Sequence, residues 1–407
     1  MRLPSAEDVR KGHGRLTYQE ALSLISLPDK VASGGQVIKR YMSRRSAWVP
    51  AVDFVPLAME LGISSFKSAI NTYGGHVYSQ AGLAASLSFR AAQERGSNGV
   101  QDREFGIHTI HGFFSEAGRS DRPFIYEVTN LASNASFPNF LVTVRQPTLP
   151  STNPEGDYYP KEDADLPLGP VCFSAMISFR RNVMSSLSMQ ELSPQVRFAE
   201  ILNSRGPAEW DPAPIADIEG ILSTLPGARQ AAGMFPGLEL RKVDMRAYNT
   251  DRPVHERREL ILHRLLAPLP ATAGDEKVKN DQDEDNNCAI DGPNAHICAH
   301  AFAVDRNGLL MIGNHIAKLK LGHEVSSAAS LSYSFVVHVG AKDAVMTYDE
   351  GHGQWWVQEA CFPRVQAGRG IVHSKIWSPQ GVHVATMYQD GIIRMKSKGD
   401  DEGKGKL

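Results

Sequence analysis

The strictest alternation of apolar and polar positions runs from Val171 to Phe179, where Val171, Phe173, Ala175, Ile177 and Phe179 interleave with Cys172, Ser174, Met176 and Ser178. A period of two is that of a strand with one buried face. Comparable alternation marks Pro123–Asn130, Asn139–Arg145, Trp355–Phe362, Ile371–Trp377 and Val382–Gln389 as strands. Ser378-Pro379-Gln380-Gly381 is a turn tetrapeptide, so the last two should pair antiparallel. Two segments read as helices: Gly75–Gln93, rich in Ala and Ser, and Asn294–Asp305, with Asn294 as a candidate N-cap. Small side chains on a helix let a curved sheet approach its backbone closely. Each helix precedes a block of strands, an order that implies an α+β fold built by internal duplication, or else two unrelated α+β units in series.

Interruptions of the pattern divide the chain. The run from Gly274 to Asn287 is polar and densely charged and reads as a loop or disordered insert, and Pro147–Pro170 carries Pro, Asp, Glu and Gly without apolar periodicity, which places it outside the core. The expected division is an N-terminal extension over 1–60, a first unit over 61–185, a linker over 186–254, a second unit over 255–395 with an acidic insert at 274–292, and a charged tail over 396–407. A length of 407 residues suits two or three domains.

Charge and cysteine usage narrow the classes. Lys and Arg number 43 against 45 Asp and Glu, a net charge of −2, so no overall field draws the chain to nucleic acid or an anionic membrane. Cys172, Cys288, Cys298 and Cys361 form no CxxC pair, which argues for a reducing compartment and against a disulfide scaffold or a cysteine-rich zinc site. The first fifteen residues have no apolar h-region, and the most apolar stretch, Ala51–Ile63, is broken by Asp53, Pro56 and Glu60. A soluble, non-secreted protein without a membrane span is expected.

Familiar catalytic signatures are missing from the sequence: there is no Gly-x-Ser-x-Gly elbow, no Gly-x4-Gly-Lys-Ser/Thr loop and no Gly-x-Gly-x-x-Gly fingerprint. His108 and His111 have opposite parity on a strand, which would send them to opposite faces. His296 and His300 share a helix face at the i,i+4 spacing of zinc ligands, yet no Glu stands at 297 and no third ligand is evident, so no metal is expected. The basic clusters Arg40–Arg45 and Arg252–Arg264 are candidates for contacting phosphates, or else solvated faces.

Several separated motifs, taken together and in order, resemble the acyl-CoA thioesterase II family. Tyr73-Gly74-Gly75-His76-Val77-Tyr78-Ser79-Gln80-Ala81 is similar to the family's aromatic-Gly-Gly-Gln-x-x-x-Gln-Ala start of a central helix. His108-Thr109-Ile110-His111-Gly112-Phe113-Phe114, Pro123–Val128 and the turn Asn134–Phe137 follow it as the family's strands do. In the second half the resemblance is carried by Ala303-Val304-Asp305, Ala329–Ser334 and Val384–Arg394, so that it spans roughly residues 70–180 and 255–395. A second Gly-Gly-Gln at Gly34–Gln36 lacks the Ala-rich helix that follows Gly74-Gly75. The chain departs from the family where Glu116-Ala117-Gly118 replaces Arg-Pro-Gly and where Ser332-Tyr333 replaces Asp-His.

The resemblance implies a double hotdog, two tandem antiparallel sheets each wrapping a central helix, with an active site between the halves. It implies hydrolysis of acyl-CoA thioesters to free acid and coenzyme A by a water held by Asp305, Ser330 and Gln389, without metal or other cofactor. Gly74, Gly75, His111 and His296 are candidate substrate contacts, the last as an oxyanion donor. By themselves Asp305 reads equally as a loop residue after a helix, Ser330 as part of an ordinary strand edge, and Gln389-Asp390-Gly391 as a turn. Two other functions stay open: a hydrolase of a specialised polyketide or branched thioester, and an inert hotdog protein that binds acyl-CoA. A homo-oligomer is expected, since hotdog sheets commonly pair. The C-terminal Gly405-Lys406-Leu407 resembles the Ser-Lys-Leu peroxisomal address, which points to the peroxisome, with the cytoplasm as alternative.

Overall fold

A computed structural model describes residues 5–12, 14–62, 71–96, 105–134, 136–183, 185–213, 225–271, 292–306, 308–317, 323–349 and 352–397. The acidic run at 274–287 and the tail from 398 onward lie outside the described residues. The first half comprises β1 (Leu24–Val31), β2 (Val37–Ser43), helix α1 (Gly74–Gly96), β3 (Phe105–Phe114), β4 (Ile125–Ala132), β5 (Asn139–Pro147) and β6 (Leu168–Arg181). The second comprises β7 (Asp211–Pro212), β8 (Leu238–Lys242), β9 (Glu259–Leu265), helices α2 (Gly292–Val304) and α3 (Gly308–Ala317), β10 (His323–Val337), the two-residue strands β11 (Tyr348–Asp349) and β12 (His352–Gly353), β13 (Trp356–Gln366), β14 (Arg369–Trp377) and β15 (His383–Ser397).

Among the described residues, thirteen strands form one sheet in the order β1-β2-β4-β5-β6-β3-β10-β15-β14-β13-β9-β8-β7, and β11 pairs with β12 apart from it. Outward from the seam between β3 and β10, one side runs β3-β6-β5-β4-β2-β1 and the other β10-β15-β14-β13-β9-β8. Each half thus repeats one plan: two antiparallel strands, a helix, the seam strand, then three more strands. The duplicated α+β unit expected from element order is present, and the fold is a double hotdog. The seam is antiparallel, with Ser334 opposite His111 and Phe335 opposite Ile110.

The outer strands β1 and β2 lie in the segment read as an N-terminal extension, and β7 and β8 in the segment read as a linker. β1 hid itself because it is an edge strand: Pro28 and a register shift between Leu27 and Lys30 break its alternation, and an edge tolerates both. Gly34 and Gly35 sit in the β1–β2 turn, where Gly35 has φ of +77°, so this Gly-Gly-Gln is a hairpin turn and no helix start. The Pro-rich stretch after β5 does not lie outside all packing. Tyr159 and Ala164 form a small cluster with Ile25, Leu27, Met42 and Ile125 on the outer face of the first half.

The two helices pack side by side inside the sheet. A Cβ at Gly82 would come within 2.6 Å of Cys298 Sγ, so glycine is what permits this approach, and Ser79 Oγ donates to the Cys298 carbonyl at 2.9 Å. Every described side chain of α2 except Pro293 is buried, which explains its lack of an amphipathic stripe. The helix begins two residues before Asn294, whose Oδ1 accepts the Ile107 N–H at 2.8 Å. Asn294 is therefore no N-cap but a bolt from α2 to the seam strand β3. No described helix is long and apolar enough to cross a membrane.

Candidate active site

The long helical path that α1 follows unbroken is interrupted in the second half. α2 ends at Val304, and α3 starts at Gly308. Asp305 occupies this break, its main-chain carbonyl accepting the Gly308 N–H at 3.2 Å. Its carboxylate crosses the seam to the start of α1, where the Gly75 N–H donates to Oδ2 at 2.7 Å. A helix N-terminus favours a negative charge, so the first half supplies the electrostatic seat for a carboxylate of the second. The glycines make this approach possible. A Cβ at Gly74 would stand 3.3 Å from Asp305 Oδ2 and 3.2 Å from the Phe114 ring, and one at Gly75 would stand 2.7 Å from the Tyr73 ring. Tyr73 ties the same junction together by donating from Oη to the Phe302 carbonyl at 2.5 Å.

Strands β10 and β15 bring the other members. Gln389 Nε2 lies 2.9 Å from Asp305 Oδ1 and 2.9 Å from Ser330 Oγ, and it also contacts the Tyr333 hydroxyl. Ser330 Oγ and Tyr333 Oη are 3.1 Å apart. An odd separation of three would normally point residues 330 and 333 to opposite faces of a strand. The register shifts between Ser330, opposite Gly391, and Ser332, opposite Asp390, leaving Leu331 as the extra residue of a bulge. The bulge re-phases β10 so that both hydroxyls face Gln389, which pairs directly with Tyr333. β15 runs on through Gln389-Asp390-Gly391 to Ser397, so these residues are mid-strand and form no turn. Gln389 Oε1 is buried without a hydrogen-bond partner among the described residues and abuts Gly308, where a Cβ would lie only 2.0 Å away. Placing the amide oxygen there keeps it away from the carboxylate and turns the nitrogen toward it.

Asp305 is partly accessible, yet its close protein surroundings raise its pKa from 3.8 to about 7. Desolvation is the dominant cause, opposed by the Gly75 N–H, by Gln389 and by the positive charge of Arg306. Arg306 is itself buried, its guanidinium 4.8 Å from the Trp48 ring centroid and 5.6 Å from that of Phe235. Those rings, with Tyr73 and Phe302, make an aromatic box. Burial lowers the arginine's pKa to about 10, so it stays a cation beside the carboxylate at neutral pH.

The structure thus joins Asp305, Ser330, Gln389, Gly74 and Gly75 at the seam between the halves. Two of the expected substrate contacts are elsewhere. His111 is on the exposed outer face of β3, its Nδ1 3.0 Å from Ser334 Oγ. His296 is fully buried with both ring nitrogens engaged: Nε2 lies 3.1 Å from the Pro270 carbonyl, and Nδ1 accepts the Met346 N–H at 3.1 Å. Burial pushes its pKa down to about 4, and it locks α2 to neighbouring loops without offering a donor to the site. His108 occupies a bulge between Ile107 and Thr109 and reaches Ser178, so the parity argument that separated it from His111 does not apply. His300 bonds His263 and the Ala344 carbonyl. No group of three metal-ligating side chains gathers among the described residues. The arginines of the two basic clusters are largely engaged within the chain: Arg44 and Arg45 stack on Tyr158, Arg258 faces Glu359 and Arg264 pairs with Glu239.

Tyr333 escaped the sequence reading, which registered it only as a departure from Asp-His. The signal was available in part, since the residue directly opposite Gln389 in an antiparallel pair must share its face, but the bulge that sets this pairing leaves no mark in composition. Chemically, the cluster offers a carboxylate of raised basicity, an amide and two hydroxyls that can orient a small polar molecule, and a helix N-terminus beside them.

No protein-family model and no curated protein matches the chain. Solved structures do. The chain superposes on an acyl-CoA thioesterase II, TesB2, from Mycobacterium marinum with a TM-score of 0.51 at 18% identity, over 94% of this chain and 99% of that one. A hot dog fold protein of unknown function from Alicyclobacillus acidocaldarius gives a TM-score of 0.51 at 13% identity, covering 93% of this chain and 97% of that one. This chain therefore shares the fold of that acyl-CoA thioesterase II structure.

Proposed function

We propose that the protein hydrolyses acyl-CoA thioesters, releasing a free carboxylic acid and coenzyme A. The observation that carries the proposal is the hydrogen-bonded group Asp305–Gln389–Ser330 at the seam, facing the N-terminus of α1. Asp305 takes a proton from a water as that water attacks the thioester carbonyl. Gln389 holds the carboxylate through Oδ1 while the Gly75 N–H holds Oδ2, so the base is fixed in orientation before substrate arrives. The Ser330 hydroxyl positions the water. The N-terminus of α1 is suited to the oxyanion that develops on the carbonyl, because the dipole there favours negative charge. The tetrahedral intermediate then expels the thiolate of coenzyme A, which takes up the proton held by Asp305. No side chain is acylated, since a thioester is already an activated acyl group.

Thiol release from coenzyme A esters of short, medium, long and branched acids tests this reading, with the chain's own cysteines subtracted. Turnover by the wild type, lost in Asp305→Asn with ligand binding retained, supports it and ranks the substrates. A folded wild type that binds acyl-CoA but releases no thiol from any ester refutes it in favour of an inert binder. Turnover confined to branched or polyketide-like esters narrows it to a specialised hydrolase.

A further inference from the structure

Gln389 Nε2 has three acceptors within reach, Asp305 Oδ1, Ser330 Oγ and Tyr333 Oη, but an amide nitrogen carries only two hydrogens. The bond to the carboxylate is charge-assisted and takes one of them. The other goes to the hydroxyl pair, whose oxygens are 3.1 Å apart and share one further hydrogen bond between them. One hydroxyl accepts from the amide and the two are linked to each other, which leaves a single hydroxyl hydrogen undirected. Which residue owns that hydrogen decides what the cluster can hold.

Tyr333 is 2% exposed, its ring packed 5.2 Å from that of Tyr78 and 5.6 Å from that of Phe114. A phenolic hydrogen left undirected there would be a buried donor without a partner, which is costly. Ser330 is only partly buried. A phenol, with a pKa near 10, is also a better donor than an aliphatic alcohol. Burial and acidity alike make Tyr333 the donor to Ser330, and the Ser330 hydrogen faces outward.

We propose that Tyr333 is a positioning residue for the thioester hydrolysis proposed above, fixing the Ser330 hydroxyl so that its hydrogen is directed at the attacking water. The inference rests on that function, but its geometry is specific to this chain, where Tyr333 stands in place of the histidine of the resembling family. The bulge at Leu331 is what makes the contact possible, because without it Tyr333 would face away from Ser330.

The test is a cycle of Tyr333→Phe, Ser330→Ala and the double variant, each assayed for thiol release and for urea unfolding. Tyr333→Phe keeps the ring packing and removes only the hydroxyl; it is expected to lower kcat about tenfold with KM unchanged, as loss of one orienting hydrogen bond does. If Tyr333 acts through Ser330, the double variant is no slower than Ser330→Ala alone. Multiplying losses in the double variant, or wild-type kcat in Tyr333→Phe, overturn the proposal. Should the wild type release no thiol from any acyl-CoA, the hydrolase reading falls by itself, and the unfolding midpoints still judge the hydrogen-bond chain: losses smaller in the double variant than the sum of the singles support it, and strict additivity overturns it.

Discussion

The two halves share one strand plan but treat their central helix differently. In the first half α1 runs from Gly74 to Gly96 without interruption; in the second, α2 stops at Val304 and the chain restarts as α3 at Gly308. The unbroken helix contributes its N-terminus, and the broken one contributes what lies in the break: Asp305, beside the buried cation Arg306. One copy of a duplicated unit thus supplies a fixed dipole while the other supplies the group that titrates. A duplication needs only one such interruption to turn two equivalent scaffolds into a single asymmetric site.

The largest effect falls at Asp305. Asp305→Asn keeps the amide-sized shape at the break but removes the base, and kcat for acyl-CoA hydrolysis should fall by about 10² to 10⁴-fold, the usual contribution of a positioned general base. Steady-state kinetics on a ranked substrate measures it, and an unchanged kcat would dismiss the role. Next in size is Gly308→Ala at the restart of the helix. Its Cβ would meet Gln389 Oε1 at 2.0 Å, so the amide must move. A displacement of about 1 Å in such a group costs on the order of 10²-fold in rate, with far-UV circular dichroism expected to match the wild type.

A third outcome concerns pH. Asp305 binds its proton with a pKa raised from 3.8 to about 7, so in the native state the proton is held to higher pH than in the unfolded chain. The unfolded state therefore loses this proton first, and the group's contribution to stability declines as pH rises from about 4 to about 7, then levels off. Asp305→Asn removes that slope, and its urea midpoint relative to the wild type should climb across the same window. Activity moves the opposite way, since the base must be ionised. The smallest effect belongs to the tether between the halves: Tyr73→Phe deletes the hydrogen bond to the Phe302 carbonyl, and a loss of about 1 kcal/mol in denaturant unfolding is expected while the ring packing persists.

What the sequence revealed of this architecture followed the physics of burial. Strands buried on one face, such as β6 with its alternating Val171 to Phe179, kept a clean period of two, and the Ala-rich α1 was recognisable because a helix enclosed by a sheet must be small. The edge strand β1 was missed, because an edge tolerates Pro28 and charged positions that erase the alternation. In the site, Asp305, Ser330 and Gln389 stood out through ordered motifs of a resembling family. They are distant in sequence, and nothing in periodicity joins them. His111 was a candidate contact through its place in the resembling motif, and His296 through its place near the start of the second helix. Their fate depended on strand face and on backbone partners at Pro270 and Met346, which only the folded chain displays. Tyr333 was hidden by a single extra residue in β10 that reverses the parity on which strand reasoning depends.

Whether the carboxylate in the helix break, seated on the opposite helix N-terminus, activates water is read from the pH dependence of kcat/KM for thiol release by wild type and Asp305→Asn. The wild-type value should rise with pH through an apparent pKa of about 7 and then level, while the variant is slow and lacks this rise. An Asp305→Asn enzyme that keeps the wild-type rate and the same pH profile would contradict it.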